Sequence, residues 1–411
     1  VVMASPLSRP QYVAVRGARP GDLTRVSATV DRMERERWRW LDLDRQGPYE
    51  NASTMPVLVR SVAEQQVPIA QTSVWGRTHL NVGWFDDVDS TLDLARCDEL
   101  GVQVVRRSFY GGGTAFYAAE CSMMWGFLLP RGTTTLGVPT DDLDGLLRRF
   151  QAVLTDALDR TGLGEVRFEG SSDLRWHGRK LGALTAQDVV ACVSIGGFLN
   201  LRPPDLSTYL QVVRIPEDKF KDKLVKDMTE YVCTAEQVAG RPVPYEELRD
   251  AIVGALADAG VDLEPDGLTP GEAKGVAKIS TRVGAPESIR RVSSDRFRAD
   301  APPGSRVGLG NHKGRKLCRA GVAVDDGGTV VAALMAGDMH ASPPDVLDRV
   351  ADALVGARSE DEQDLRARIA SVFEGADVAQ ADEVMGVTTE DLLAAVRRAV
   401  DAARAADPVG A

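Results

Sequence analysis

Apolar residues recur every three or four positions across residues 141–158, which is the pattern of a helix with one buried face. Acidic residues occupy the first turn, where they interact favourably with the helix dipole. The stretch therefore predicts a helix with a structural role. Its apolar positions are Leu143, Leu146, Leu147, Phe150, Leu154 and Leu158.

Short apolar runs alternate with amphipathic segments from Trp38 to about Gly260. Residues 57–59 lie in a predicted helix that follows Asn51, and residues 73–75 lie in a predicted strand. Residues 102–105 predict another strand, which leads straight into a glycine-rich loop. Such a mixture indicates an α/β or α+β domain built around one sheet.

The last hundred residues predict a smaller α+β module. A hairpin is expected over residues 320–335, followed by three amphipathic helices. Ser342 is expected to cap the first of these helices, and the last is expected to begin at Thr388 or Thr389. Glycines and prolines concentrate in residues 260–302, which is typical of a domain boundary with a connecting segment.

These patterns predict four parts. They are an N-terminal arm (residues 1–30), a main domain (31–262), a linker (263–302) and a C-terminal module (303–411). The chain has 411 residues, 44% of them hydrophobic, which is enough for two or three domains with cores of their own.

Charge and cysteine usage narrow the class of protein. A net charge of −11 argues against a nucleic-acid partner, since nucleic-acid binding needs a basic surface. The densest basic patch, residues 219–226, is either a solvated face or a docking site for an acidic partner. The five cysteines are scattered and never form a Cys-x-x-Cys pair, which argues against a disulfide framework or a zinc site.

The sequence predicts neither secretion nor a membrane partner. The N-terminal residues contain only short apolar pieces, unlike a signal peptide. No segment approaches the roughly 20 apolar residues of a membrane span. The protein is therefore expected in the cytoplasm.

The most informative motif runs from Arg106 to Thr114, where two arginines precede three glycines at 111–113. Glycines let the main chain approach a ligand closely, and free N–H groups beside fixed positive charge suit a phosphate or a carboxylate. The stretch is thus either an anion-binding loop or a strand that ends in a flexible turn.

A second motif surrounds Lys180, in residues 176–183. A lysine is a compact charge that can bridge a carboxylate oxygen and a phosphate oxygen at once. That contact suits acid activation by ATP, because attack of a carboxylate on the α-phosphate builds negative charge that a positioned cation stabilises. The alternative is a surface lysine in a β-turn.

The two motifs, in this order and with this separation, resemble those of the lipoate–protein ligase family, part of the biotin/lipoate ligase superfamily. Residues 50–52, 74–81 and 100–107 resemble the family's opening helix, a following strand and turn, and the lead into its glycine loop. Residues 335–339 and 343–345 resemble its accessory domain. The likeness runs from about residue 38 almost to the C-terminus.

The resemblance implies an α+β fold, with a mixed-sheet catalytic domain of the biotin/lipoate ligase type and a smaller C-terminal α+β accessory domain. It implies an enzyme that uses ATP, accompanied by Mg²⁺, to adenylate lipoate or a related small carboxylic acid. The acyl group then passes to a lysine of an acyl-carrier or lipoyl-domain protein. The Mg²⁺ would be held mainly by phosphates and water, so no ligand set can be read from the sequence.

The resemblance also implies roles for particular residues. Lys180 would contact both the acyl carbonyl and the phosphate. Trp75, Arg77 and Tyr117 would line the acyl pocket. The implied nucleotide and acyl-adenylate contacts are Arg106, Arg107, Gly111, Gly112, Gly113, Thr114, Ala115 and Phe116.

The sequence departs from the family pattern at the predicted pocket. Three residues, instead of two, separate Arg107 from Gly111. Residues 116–119 stand where the family tends to have an aromatic residue followed by His and Asp, and Gly196 with Gly197 replaces a His-Gly pair. A different acid, a different acceptor or lost activity would each fit these changes.

Several alternatives stay open at this stage. A biotin ligase would need an arginine- and glycine-rich loop that is absent. An octanoyltransferase of the cysteine type would need a cysteine shortly before the Lys180 motif, and residues 160–176 contain none. A relative that activates another acid and a non-catalytic carrier-binding protein both remain.

The four histidines are too dispersed for a metal cluster and are interpreted as surface or turn histidines: His79, His177, His312 and His340.

Overall fold

The computed structural model describes residues 35–108, 111–170, 172–189, 192–214, 230–380 and 386–410. The predicted N-terminal arm (residues 1–30) and the basic patch (219–226) lie outside the described residues, as do Phe109 and Tyr110 of the glycine-rich motif. Within the described residues, no helix is both long enough and apolar enough to span a bilayer.

The strands of the described residues are β1 (Glu36–Gln46), β2 (Ile69–Trp75), β3 (His79–Val82), β4 (Gln103–Arg106), β5 (Ala115–Tyr117), β6 (Ser122–Pro130), β7 (Thr134–Thr135), β8 (Val138–Pro139), β9 (Arg167–Glu169), β10 (Asp173–Trp176), β11 (Arg179–Asp188), β12 (Cys192–Asn200), β13 (Val261–Asp266), β14 (Arg306–Lys313), β15 (Leu317–Val324), β16 (Val330–Gly337), β17 (Ala341–Ser342) and β18 (Ala379–Gln380). The main domain is organised around an eight-stranded mixed sheet of order β13-β1-β2-β6-β12-β11-β10-β9. In this sheet β13, β1 and β2 pair in parallel, and the pairs from β2 to β9 are antiparallel.

Helices cover both faces of this sheet. The predicted helix at 141–158 is confirmed as Leu143–Arg160, and Asp142 caps it by accepting a hydrogen bond from the Gly145 amide. Its apolar face packs on the sheet, where the ring of Phe150 stacks 4.6 Å from that of Phe127. The helices of the described residues are Pro48–Gln65, Val88–Thr91, Leu94–Glu99, Leu143–Arg160, Ser207–Val212, Ala235–Ala239, Tyr245–Asp258, Pro270–Val283, Pro286–Ile289, Ser294–Ala299, Val346–Leu354, Glu362–Phe373 and Thr389–Arg404.

A small sheet carries the glycine loop. Strand β3 pairs in parallel with β4 and antiparallel with β5, so the loop leaves β4 and returns through β5 on the other side of β3. The predicted strand at 102–105 is thereby confirmed as β4. The two ends of the loop are therefore about two strand spacings apart, roughly 10 Å, with β3 between them.

The segment predicted as a linker, residues 263–302, consists of regular secondary structure. Strand β13 enters it as an edge of the large sheet, parallel to β1. Helix Pro270–Val283 follows, and a capping box of Thr269 and Glu272 begins it. The buried Glu272 carboxylate also lies 2.7 Å from the Arg39 guanidinium of β1, which fixes the segment to the sheet. The domain boundaries themselves stay a prediction.

The C-terminal module confirms the predicted hairpin and three helices. Strands β14, β15 and β16 form an antiparallel sheet, with the hairpin between β15 and β16. Helix Thr389–Arg404, capped by Thr388, packs so closely on β14 that a Cβ on Gly308 would lie 2.0 Å from the Ala399 carbonyl oxygen. The expected cap at Ser342 is wrong, because Ser342 lies in β17 and Asp345 is the residue that precedes the first helix.

The C-terminal module contacts the main domain beside β3. The Trp84 indole N–H donates to the Pro344 carbonyl at 2.6 Å, and the Arg291 guanidinium lies 4.1 Å over the Trp84 ring. The Gly337 amide donates to the Phe85 carbonyl at 2.9 Å. These contacts bring residues 337–344 next to the glycine loop.

His79 is buried in β3 at 0% exposure, so its interpretation as a surface histidine is wrong. Burial lowers the pKa of its imidazole from 6.5 to about 4, although Nδ1 lies 2.8 Å from the Arg77 carbonyl oxygen. Between those two pH values the unfolded chain binds the proton and the folded chain does not. The folded state therefore loses stability as the pH falls through this window.

Replacement of His79 by phenylalanine tests this effect. Between pH 7 and pH 5, the wild type is expected to lose about 2 kcal/mol more unfolding free energy than His79→Phe. Urea unfolding at both pH values measures the difference. Equal losses in the two proteins would show that His79 does not cause the acid sensitivity.

Candidate active site

A cavity of about 370 Å³ lies over the central strands of the large sheet. Strands β2, β6, β12 and β11 form its floor, helix Pro48–Gln65 forms one wall and the glycine loop forms another. No side chain fits on the floor at Gly197, since a Cβ there would lie 1.9 Å from the Ala183 carbonyl oxygen of the neighbouring strand. The volume falls in the range of small-molecule sites.

The glycine loop is folded around its own arginine. The Arg107 guanidinium donates to the carbonyls of Gly111, Gly112 and Gly113 at 3.0, 3.1 and 2.8 Å, and to the Asn81 carbonyl at 2.9 Å. Arg107 and the three glycines all line the cavity, as does Ala115. The structure thus brings the core of the predicted motif together on one wall.

Asp86 anchors the far end of the loop. Its carboxylate accepts hydrogen bonds from the amide and the hydroxyl of Thr114, each at 2.8 Å. Burial raises the pKa of this carboxyl, against the opposing effect of the Thr114 donors. The sequence gives no sign of this role, because nothing in the acidic stretch after β3 ties Asp86 to a loop 28 residues later.

Arg106 points away from the cavity, although the sequence predicts it as an anion contact. Its side chain is 1% exposed, and its guanidinium donates to backbone carbonyls that include those of Asp86 at 2.9 Å and Ile289 at 2.6 Å. Burial lowers its pKa to about 9. In this arrangement Arg106 joins residues 83–86 to residues 288–292 and has no contact with the cavity.

Lys180 lies in β11, next to the hairpin turn between β10 and β11, and is not among the described residues that line the cavity. The two turn residues, His177 and Gly178, have φ angles of 48° and 76°, which is the geometry of a tight two-residue hairpin. The Lys180 ammonium lies 2.8 Å from an Asp173 carboxylate oxygen and 5.9 Å from the ring centre of Phe198, which lines the cavity. Burial raises the pKa of Asp173, but Lys180 and Arg175 together hold it below its usual range.

The predicted acyl-pocket residues divide into two groups. Trp75 and Tyr117 line the cavity and stack with ring centres 4.1 Å apart. Arg77 is exposed and donates weakly to Gln103 at 3.4 Å, outside the cavity wall. Phe116 packs against Tyr209 on the other side of β5, with ring centres 5.1 Å apart.

His340 of the C-terminal module also lines the cavity, so its interpretation as a surface or turn histidine is wrong. The Gly112 amide donates to the Met339 carbonyl at 3.1 Å, which brings residues 339–340 against the loop. A Cβ on Gly111 would lie 1.9 Å from that carbonyl oxygen. The only sequence signal nearby is the segment 335–339 that resembles the family's accessory domain, and this segment ends one residue before His340.

Residues 47–257 match the model of the lipoyl protein ligase A/B catalytic domain, which is about half of the chain. The chain belongs to this family. The resemblance inferred from the two motifs is therefore confirmed, and the protein is an enzyme of the ligase and acyltransferase type found in this family.

Two curated relatives of this lipoyl ligase family protein are octanoyltransferases named LipM. The protein from Moorella thermoacetica is 24% identical over 285 residues, covering 63% of this chain and 100% of the relative. The protein from Staphylococcus epidermidis is 19% identical over 268 residues, covering 60% and 96%.

Solved structures share the fold. LipL1 of P. falciparum, crystallised with lipoate, superposes with a TM-score of 0.62 at 12% identity, covering 88% of this chain and 98% of that one. The bi-partite lipoate protein ligase of Thermoplasma acidophilum superposes with a TM-score of 0.54 at 18% identity, covering 62% and 97%. The predicted mixed-sheet fold of the biotin/lipoate ligase type is thereby confirmed.

Proposed function

We propose that this protein is an ATP-dependent acyl ligase, which adenylates a small carboxylic acid and transfers the acyl group to a lysine of a carrier domain. Lipoate is the first candidate acid. The competing function is the one named for its LipM relatives, octanoyl transfer. The observation that carries the proposal is the chemistry of the cavity wall, which offers the Arg107 cation and the His340 imidazole but no thiol.

All five cysteines of the chain lie in described segments, and all five are buried. None of them lines the cavity. Burial raises the pKa of Cys97 to about 11 and the pKa values of Cys192 and Cys318 to about 12, so their thiolates are scarce at neutral pH. A transfer reaction through a cysteine nucleophile has no support from this arrangement.

The proposed activation depends on the loop and on Lys180. A bound carboxylate or phosphate would take donors of Arg107 that now meet the loop carbonyls, and the bare backbone at 111–113 leaves room for it. The Lys180 ammonium would swing from Asp173 towards the reacting carboxylate, where it offsets the negative charge that builds during attack on the α-phosphate.

Magnesium is proposed to enter with the nucleotide. Among the described residues, no group of three or more histidine, cysteine or acidic side chains is placed to hold a metal ion. Mg²⁺ keeps several waters and is commonly bound through substrate phosphates with few protein ligands. The triphosphate itself would therefore supply most of the ligands.

The acceptor is proposed from the family and its neighbours. The structural study of the Thermoplasma acidophilum ligase included its E2 lipoyl domain. A carrier domain of that kind would present its acceptor lysine to the bound acyl-adenylate. We do not restrict the acid to lipoate, because the departures from the family sequence pattern at 116–119 and 196–197 lie in or beside the cavity wall.

Two parallel reactions test the proposal. In the first, the protein receives Mg²⁺, ATP and one acid at a time, with lipoate, octanoate and shorter acids compared. In the second, it receives octanoyl-carrier protein without ATP. We expect acyl-AMP by mass spectrometry and ATP–pyrophosphate exchange in the first reaction, with no octanoyl transfer to a lipoyl domain in the second.

Iodoacetamide serves as the control for thiol chemistry, and treatment is expected to leave the exchange rate unchanged. ATP-independent transfer that iodoacetamide abolishes would replace the proposal with a cysteine octanoyltransferase. No reaction in either arm, with a lipoyl domain still bound, would instead indicate a non-catalytic carrier-binding protein.

A further inference from the structure

The cavity contains one side chain that can serve as a neutral base at pH 7. Among its described wall residues, only Arg107, Tyr117 and His340 are ionisable. Arg107 is a cation with no acceptor atom, and burial raises the pKa of Tyr117. Transfer of an acyl group to a lysine amine must release a proton, so the position of His340 matters for the second half of the proposed reaction.

The imidazole of His340 stands beside the anion loop. Its Nε2 lies 3.3 Å from the point that a Cβ on Gly112 would occupy, and Nη2 of Arg107 lies 3.4 Å from the same point. No described residue forms a hydrogen bond with the ring, which is half-buried and borders the cavity. Both ring nitrogens are therefore available to a ligand.

The charges around the ring keep it neutral in the ligand-free protein. Burial lowers the pKa of His340 to about 4, and the cations Lys316 and Arg107 lower it further than Asp338 raises it. Lys316 and Asp338 come from the C-terminal module and Arg107 comes from the main domain. A phosphate placed between Arg107 and His340 would add negative charge and raise the pKa again.

We propose that His340 is the base that takes the proton from the carrier lysine during acyl transfer. The inference rests on the proposed ligase function. It assigns to the C-terminal module a chemical group that the glycine loop of this chain lacks, since residues 116–119 contain no histidine. The main domain then activates the acid, and the module completes the site for transfer.

The proposed step is balanced as follows in atoms and electrons. The lone pair of the neutral lysine amine attacks the acyl carbonyl carbon, and the C–N bond forms. The proton on the attacking nitrogen moves to His340 while the tetrahedral intermediate forms. The bond between the carbonyl carbon and the AMP phosphate oxygen then breaks, and AMP leaves with the electron pair.

A His340→Asn variant separates the two half-reactions. Synthetic lipoyl-AMP is supplied with either a lipoyl domain or hydroxylamine as acceptor. Hydroxylamine is a small and highly reactive nucleophile, so its acylation does not depend on a base positioned by the protein. We expect transfer to the lipoyl domain to fall by about 10²-fold. We expect transfer to hydroxylamine to change by less than about threefold, because general-base assistance matters most for the less reactive acceptor.

Two further measurements exclude a merely structural role. Imidazole added to the buffer is expected to restore part of the transfer to the lipoyl domain in His340→Asn, because it replaces the missing base. His177→Asn is the matched control, since His177 is 72% exposed and its left-handed backbone accommodates asparagine. Equal losses with both acceptors, and no rescue, would overturn the inference.

NMR of the imidazole groups gives a readout that does not depend on turnover. The chain has only four histidines, so comparison with His340→Asn assigns the signal. The His340 ring is expected to stay neutral down to about pH 5 in the free protein and to titrate at higher pH when AMP is bound. If AMP does not change the pH at which the His340 signal titrates, the inference is overturned. If the wild type transfers nothing from lipoyl-AMP, the proposed function fails instead.

Discussion

Replacing Lys180 with alanine is expected to lower the rate of acyl-adenylate formation by about 10²–10³-fold, the usual loss when one positioned donor to a developing charge is removed. The ammonium is held by Asp173 at 2.8 Å and lies 5.9 Å from the ring centre of Phe198, which lines the cavity. ATP–pyrophosphate exchange measures the loss.

Two companion variants locate the effect. Lys180→Arg is expected to recover little activity, because the planar guanidinium is bulkier and cannot place a compact charge between two oxygens. Lys274→Ala removes a lysine from an exposed position of helix Pro270–Val283 and is expected to leave exchange unchanged. Exchange in Lys180→Ala above half of the wild-type rate would contradict the assigned role.

Asp173→Asn distinguishes chemistry from folding. If Lys180 acted only through its ion pair, Lys180→Ala and Asp173→Asn would have matched effects on thermal stability and on exchange. We expect the asparagine variant to lose far less exchange activity, because the ammonium remains beside Phe198 and can still reach the cavity. A matched loss in both variants would indicate that Lys180 is a structural residue.

Local patterns predicted the elements whose stability is mostly local. The helix Leu143–Arg160 follows from its apolar spacing and its acidic first turn, and the hairpin of β15 and β16 follows from its turn residues. The glycine loop was located for the same reason, since a run of glycines directly after a buried strand indicates a loop whose backbone can approach a ligand closely. These features need little information from distant parts of the chain.

Long-range contacts account for what the sequence did not reveal. Arg106 and Arg107 are neighbours with the same chemistry, yet alternation along β4 turns one towards backbone carbonyls at 288–292 and the other into the cavity. The segment 263–302 has the composition of a linker, but Glu272 pairs with Arg39, 233 residues earlier in the chain. No periodicity in the sequence specifies either contact.

The same reasoning applies to the histidine of the C-terminal module. His340 and Gly112 are 228 residues apart and meet because residues 337–344 are held against the main domain by Phe85 and Trp84. The glycine loop of this chain is not followed by the histidine that the family tends to have at this position. In the folded protein, the wall of the cavity is completed by a residue from a different part of the chain.

The largest effect expected from a change at this contact is that of Gly111→Ala. The new Cβ would lie 1.9 Å from the Met339 carbonyl oxygen and 2.8 Å from Cα of His340. Both are backbone atoms, so no side-chain rotation relieves the overlap and residues 339–340 must move away from the loop. A displacement of about 1 Å at a reacting group can lower a rate by about 10²-fold, which is the loss expected for transfer to the lipoyl domain.

The expected pattern is selective. Unfolding free energy should fall by about 1–3 kcal/mol, as for other overpacked sites, and the protein should remain folded. Adenylate formation should fall less than transfer, because Arg107 keeps its contacts with Asn81 and Lys180 keeps its ion pair with Asp173. Urea unfolding measures the free energy of unfolding, and separate assays of the two half-reactions measure the rates of adenylate formation and of acyl transfer.

Gly267→Ala is the matched control, since no atom lies within 4 Å of the added Cβ and its backbone does not need a positive φ. It is expected to change neither stability nor either half-reaction by more than a small factor. If Gly111→Ala behaves like this control, the C-terminal module does not close on the loop as the structure describes. If it lowers adenylation and transfer equally, the contact supports the loop itself and has no separate effect on the position of His340.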